Sequence, residues 1–316
     1  MNKNGLVSII IPVYNREDLI GETIESALSQ TYPNIEIIIV DNASTDSTWK
    51  KCQAYALQDK RVRIFRNDEN IGPVRNWARC IDEATGYYGK ILWSDDLIAP
   101  DFLEKTVPYL ANHNEVGFVF TRVEVFSDEM DERVEHYDIG ETGIYKSNQY
   151  IKGTLLEGSL YPTSPGCTVF RLKDLSRSLL IDVPNKVGSD FSKHAIGNDL
   201  LMLLLTANKY HNFAFVNEKL SFFRAHADSI STLSDEGKLP LHYDLVKAYF
   251  IENYRMELIK KFNVQLLVDI KRHGKSREYC LDKIGNFYLK NTDYSLDFNY
   301  LIRKMISTML KRIFSR

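Results

Sequence analysis

The sequence predicts an α/β protein: a mostly parallel sheet flanked by helices, followed by a helical C-terminal region. Three observations predict it. Apolar, β-branched runs recur through the first hundred residues, each is followed by a stretch with apolar residues at helical spacing, and from about Leu239 only the helical period remains.

The elements follow in order. Val7 to Val13 (VSIIIPV) is a continuous apolar run, as expected of a strand buried on both faces. Asn15-Arg16-Glu17-Asp18 has the composition of a helix start, ahead of Ile20, Ile24, Ala27 and Leu28. Ile35 to Val40 repeats the strand, and Ser44 to Leu57 repeats the helix with Trp49, Cys52 and Ala56 on one face. Arg61 to Arg66 is a third strand, Asn70 to Pro73 opens a helix with Trp77, Cys80 and Ile81, and Tyr88 to Trp93 is a fourth strand. This alternation is the mark of right-handed βαβ crossovers. In such sheets ligands bind beyond the carboxyl ends of the strands, so Pro12 to Asn15, Asp41 to Ser44, Asn67 to Asn70 and Ser94 to Asp96 should meet along one edge.

Composition narrows the function. The 316 residues are 44% hydrophobic, with 40 Lys and Arg against 42 Asp and Glu, so neither disorder nor wrapping around nucleic acid is expected. Cys52, Cys80, Cys167 and Cys280 form no C-x-x-C pair, which argues against a zinc site or a disulfide framework. The N-terminal run is interrupted by Pro12 and reads as a strand, not an export signal, and no run reaches the ~18 apolar residues needed to span a bilayer. A cytoplasmic protein is expected. Neither G-x-G-x-x-G nor a P-loop motif is present, so a phosphate would have to be held by another device.

Asp95 and Asp96 suggest that device. Adjacent carboxylates repel unless a cation or several donors compensate, and Mg²⁺ or Mn²⁺ commonly takes one or two carboxylates plus substrate phosphates. One aspartate would hold the metal and its neighbour a sugar hydroxyl; the expected assignment is Asp96 to metal and Asp95 to hydroxyl. The alternative is a pair that caps the helix near Pro100 or lies solvated in a loop.

VSIIIPVYN, IIIVDNASTD, NIGPVRNWA and LWSDD, in that order and spacing, resemble the nucleotide-sugar-binding half of the family 2 glycosyltransferases, which have the GT-A fold. The resemblance covers roughly residues 1–110. It implies a donor pocket with Pro12, Val13 and Tyr14 at the base and ribose, Asn15 also binding the donor, Asp41 on the nucleotide base, and Arg75 near the diphosphate or the base, although GPVRNW departs from the commoner family form. It also makes the doublet a variant of the D-x-D metal motif, with Ser94 where the first Asp often stands. Asp41 could instead simply cap the next helix.

Beyond residue 110, Gly117 to Phe126 reads as a strand, Ser127 to Gly143 as an acidic surface excursion, and Thr163 to Phe170 as a strand after a turn. Asn198-Asp199 opens an apolar helix. Asp199 would serve there as a helix-start carboxylate, whereas the resemblance makes it the catalytic base, with Asn198 in place of the family's Glu. The segment SFFRAHADSIS resembles an R-x-H-x-x-S motif, implying donor contact from Arg224 and a metal or diphosphate role for His226. Residues 298–316 carry Arg303, Lys304, Lys311, Arg312 and Arg316 and no acid. Leu301, Ile302, Met305, Ile306, Met309, Leu310 and Phe314 can form an apolar stripe. This is either an in-plane helix on an anionic membrane surface or a helix docked on the protein.

These readings make residues 1–235 a glycosyltransferase domain, divided near residue 110 into nucleotide-sugar and acceptor halves, and residues 236–316 a helical region. The expected activity is cation-dependent, inverting transfer from a nucleoside-diphosphate sugar, with UDP the expected nucleotide, to a glycan or lipid-linked saccharide acceptor. A nucleotidyltransferase and a non-catalytic nucleotide-sugar-binding protein are the alternatives.

Overall fold

The computed structural model describes residues 5–127, 133–158, 160–226, 238–273 and 281–314, with side chains as far as 306. The chain divides into two units, Met1–Asp182 with Phe191–Thr232, and Val183–Asp190 with Leu233–Arg316.

In the first unit a sheet of ten strands among the described residues runs through β1 (Val7–Val13), β2 (Ile35–Asp41), β3 (Val62–Arg66) and β4 (Tyr88–Ile91). These four are mutually parallel in the order β3-β2-β1-β4. The crossovers are α1 (Ile20–Leu28), α2 (Thr48–Gln58) and α3 (Pro73–Glu83). Every residue of β1 and β2 is buried, which explains their unbroken β-branched composition: both faces are covered. β3, at the sheet's edge, is fully buried only at Val62.

Strand order reverses at β1, with β2 on one side and β4 on the other. This is the switch point where a doubly wound sheet opens a crevice. Pro12 marks the opening. Ile10 accepts a bond from Leu92 N on the β4 side and Val13 from Asn42 N on the β2 side. Residue 12, in phase with Ile10, therefore faces the side where β4 has ended, so its missing N–H removes no ladder bond.

The remaining strands are β5 (Leu97–Ile98), β6 (Val116–Phe126), β7 (Val134–His136), β8 (Gly143–Lys146), β9 (Thr168–Arg171) and β10 (Asn212–Arg224). The long β10 lies parallel to β6 through bulges, and antiparallel to β8 near one end and β5 near the other. β9 runs antiparallel to β4 and β6 and joins the two halves of the sheet. Within the excursion expected over 127–143, β7 pairs with β6 and is exposed throughout; 128–132 lie outside the described residues. The helices here are α4 (Phe102–Asn112), α5 (Ser147–Lys152), α6 (Leu172–Ser178), α7 (Phe191–His194) and α8 (Asn198–Lys209). Phe118, Phe120, Phe213, Phe215 and Tyr150, all buried, pack their rings together between them.

The second unit carries α9 (Lys238–Tyr254), α10 (Ile259–His273) and α11 (Phe298–Phe314). It begins again at Leu233, and Val183–Asp190 joins it from within the stretch assigned to the acceptor half. Ser189 Oγ lies 2.8 Å from His242 Nε2 on α9, and Asn185 Nδ2 donates to the Val183 and Ser189 carbonyls. In α11, Tyr300, Leu301 and Lys304 are half-buried, whereas Phe298, Ile302, Met305 and Ile306 are more than half exposed. The side chains of Met309, Leu310, Lys311, Arg312, Phe314 and Arg316 lie outside the described residues. No described helix is long and apolar enough to cross a membrane.

Candidate active site at the strand ends

The loops after β1 and β2 are tied together. Asn15 adopts φ +47°, a region Asn tolerates; its N–H donates to Ser44 Oγ and its Oδ1 accepts from Thr45 N at 2.8 Å. It is therefore not a cap for α1, whose first turn has no side-chain cap. Pro12 and Val13 are buried in β1, so within the stretch expected to line the pocket only Tyr14, 40% exposed, presents a large surface.

Asp41 has no exposed surface. Its carboxylate accepts from Ser44 N and Oγ and pairs with Arg66 Nε at 3.0 Å, across a turn in which Ala43 takes φ +61°. With these partners Asp41 fixes the turn that follows β2. Asp41→Ala should lower stability by about 2–3 kcal/mol, because the buried donors lose their acceptor; urea unfolding measures it. Beneath it, Asn67 Nδ2 donates to Asn42 Oδ1 and Asn76 Oδ1, and Asn76 Nδ2 to the Val40 carbonyl. This buried amide network, unrecognised in the sequence, locks the second and third loops to α3. Arg75 projects from the first turn of α3, 43% exposed and 3.9 Å from the open Asp182 carboxylate, a pair that holds it only weakly.

The doublet follows β4 in a tight turn, Asp96 N donating to the Trp93 carbonyl. β5 then pairs with β10, Leu97 opposite Phe222, and that register carries Arg224 and His226 back beside the doublet. Arg224 N donates to Asp96 Oδ1 at 3.0 Å, its Nε donates to the Asp95 carbonyl at 3.2 Å, and its guanidinium pairs with Glu22 over the Phe126 ring. With its side chain only 3% exposed, Arg224 positions the doublet more than it faces a ligand. His226 Nε2 lies 2.9 Å from Asp95 Oδ2, which is also 3.6 Å from Arg16 Nε. The imidazole therefore meets Asp95, the aspartate expected to hold the sugar hydroxyl. Ser229 and Ser231 of the same motif lie outside the described residues.

The two aspartates differ sharply. Asp95 is partly exposed; Asp96 is buried, and burial together with the Asp95 charge raises its carboxyl pKa well above the usual range, against the Arg224 N–H, Lys90 and the Arg224 charge. Among the described residues no three His, Cys, Asp or Glu side chains converge as a metal-holding group. The doublet's oxygens are the hard donors that Mg²⁺ or Mn²⁺ prefers, and of the two carboxylates Asp95 is the more accessible.

Lys90 stands under the doublet. It lies in β4 with no exposed surface; its Nζ donates to the Ile91 and Gly166 carbonyls and sits 4.8 Å from the centre of the Phe102 ring. Burial lowers its pKa to about 8, against the neighbouring Cys167 and Asp96. Beyond Cys167 lies Tyr137, a bulky residue at φ +66°. Its phenol pKa is raised by burial, then by Cys167, against the Thr163 hydrogen bonds, and further by the Asp199 carboxylate.

Asp199, in the first turn of α8, accepts from Gly197 N at 3.1 Å and its own neighbour Leu200 N at 2.8 Å through Oδ1. Gly197 at φ +103° and Ala195 at φ +60° shape the entry to this helix. Asn198 Nδ2 instead reaches the Leu180 carbonyl. Left-handed backbone at Asn15, Ala43, Tyr137 and Ala195 therefore collects in the loops that carry or adjoin the proposed site residues, where strain is usually kept for function. A separate cavity of about 370 Å³, lined by Gly86, Tyr87, Arg171 and Lys173 among others, opens near the start of β4, away from the strand ends that carry this chemistry.

A parallel sheet with its switch point at β1, an acidic doublet after β4 and a carboxylate at the start of α8 make up a doubly wound α/β architecture whose polar side chains gather beyond the strand ends. The sequence profile of glycosyl transferase family 2 matches residues 8–179, more than half of the chain, and the chain belongs to that family. EpsE of Bacillus subtilis (strain 168), a glycosyltransferase by name, is 36% identical over 171 residues, 52% of this chain and 61% of EpsE. TuaG of the same organism, whose name carries teichuronic acid biosynthesis, is 38% identical over 120 residues, 38% of this chain and 47% of TuaG. The chain thus spans about half the length of these curated relatives. The fold is that of S. aureus TarS 1-349, solved with UDP-GlcNAc: TM-score 0.62 at 17% identity, over 85% of this chain and 73% of that one. This is the GT-A fold expected from the sequence.

Proposed function

We propose that the chain transfers a sugar, with inversion and with help from a divalent cation, from a UDP-sugar to a hydroxyl of a glycan or lipid-linked acceptor in surface-polysaccharide assembly. The observation that carries this is the acidic doublet held by Arg224 and His226 at the switch point of a family 2 fold. The UDP-GlcNAc complex of TarS and the name of TuaG support the donor and the pathway class.

Tyr14, Asn15 and Arg75 border the donor side of the crevice in this reading, and Asp95 with Asp96 would hold Mg²⁺ or Mn²⁺, which supplies charge neutralisation for the departing diphosphate. Asp199 accepts the proton of the attacking acceptor hydroxyl, on the face of the sugar opposite the nucleotide, by the logic of inverting carboxylate chemistry. Its Oδ1, fixed by two backbone N–H groups, keeps the carboxylate in one orientation.

The test is thermal stabilisation by a panel of nucleotide sugars with Mn²⁺ or with EDTA. UDP-sugars should stabilise the protein only with Mn²⁺, and Asp95→Asn should remove the cation's contribution. Because a carboxylate must lose its proton to bind a cation and Asp96 holds its proton more firmly than usual, the Mn²⁺-dependent affinity should rise with pH. Equal stabilisation in EDTA, or no response to any nucleotide sugar, overturns the reading.

A further inference from the structure

The exposed face of α11 has a composition that matches a particular surface. Phe298, Ile302, Met305 and Ile306, at positions i, i+4, i+7 and i+8, are 71%, 55%, 58% and 52% exposed. The opposite side of the helix, with Tyr300, Leu301 and Lys304, is half-buried, and Lys304 stacks its ammonium 5.6 Å from the Tyr300 ring. The helix is therefore seated on its unit by one face and offers an apolar stripe on the other.

Charge completes the pattern. Residues 298–316 contain five basic residues and no acid, and α10 ends in Lys271, Arg272 and His273. Lys304, on the seated side, feels the charges of Asp269, Arg272, Asp244 and Lys247, in that order, whereas Arg303 is exposed beside the stripe, as are Lys271 and Arg272 at the end of α10. An apolar arc bordered by cations, on a helix that does not cross the bilayer, is the arrangement of helices that lie in the headgroup layer.

We infer that α11 docks the protein on an anionic lipid bilayer, the stripe from Phe298 to Ile306 entering the acyl boundary while Lys271, Arg272 and Arg303 meet acidic headgroups. The inference rests on this unit alone and is independent of the transfer reaction proposed above.

The test is co-sedimentation of the full chain with vesicles of phosphatidylcholine alone and with a third phosphatidylglycerol. Binding should be confined to the anionic vesicles and fall as salt rises. Ile302→Glu with Met305→Glu should abolish it, and Lys271→Gln with Arg303→Gln should weaken it about thirtyfold, at roughly one kcal/mol per basic residue. All variants change exposed side chains, so a circular dichroism melt matching the parent's should accompany the loss. Undiminished pelleting of both double variants overturns the inference, as does equal binding to the two vesicle types. Concentration-dependent dimerisation in analytical ultracentrifugation, abolished by the Glu variant while lipid binding is absent, would assign the stripe to a second copy of the chain instead.

Discussion

Asp199→Asn should cut sugar transfer by about 10²–10⁴-fold while leaving the affinity for UDP within about twofold. The amide oxygen of Asn can still accept from Gly197 N and Leu200 N, so the start of α8 should keep its shape. In the proposed reaction the variant lacks the group that takes the acceptor hydroxyl's proton, which an amide cannot do. Single-turnover kinetics with calorimetry of UDP binding separates the two effects. Unchanged turnover removes Asp199 from the chemistry; loss of UDP binding as well makes it a structural residue of the crevice.

Lys90→Met should erase a rise in stability that the parent shows on the alkaline side of neutrality. The folded protein holds the Lys90 ammonium where it ionises near pH 8, whereas the unfolded chain keeps its proton to about pH 10.5. Below pH 8 both states are protonated and the folded state carries the burial penalty. Between about 8 and 10.5 the unfolded chain binds the extra proton, so stability climbs with pH. Between pH 7.5 and 9.5 the parent should gain about 2 kcal/mol relative to the Met variant, measured as the difference in urea unfolding so that the tyrosines cancel. A flat difference across that window would mean that this ammonium is not paying for its burial.

The strand ends were readable because buried parallel strands leave no choice of side-chain pattern: VSIIIPV and IEIIIVD have no polar face, so the first polar residues after them mark the crevice. The doublet was found for the same reason. The direction each carboxylate takes was not readable, since it depends on partners from distant elements. Asp41 is turned inward by Arg66 of β3 and by the left-handed Ala43, and Asp96 is buried because the β5 and β10 register delivers Arg224 onto it. Lys90 carries no such signal: in the sequence, a single lysine in a short strand is indistinguishable from one whose head reaches water. Its burial follows from Gly166 and Phe102, 76 and 12 residues away, which only the fold brings near. Tyr137 escaped for want of any local signal for its φ of +66°.

The octapeptide Val183–Asp190 has a practical consequence for anyone trimming this protein. Although it is encoded ahead of α7, its fastening to His242 makes it a clasp for the later helices. Ending the gene after residue 232 would leave that clasp gripping nothing, at the root of the loop that leads to Asp199. A shortened version that loses activity would then indict the dangling peptide before it indicted the missing helices, and removing both together is the cleaner surgery.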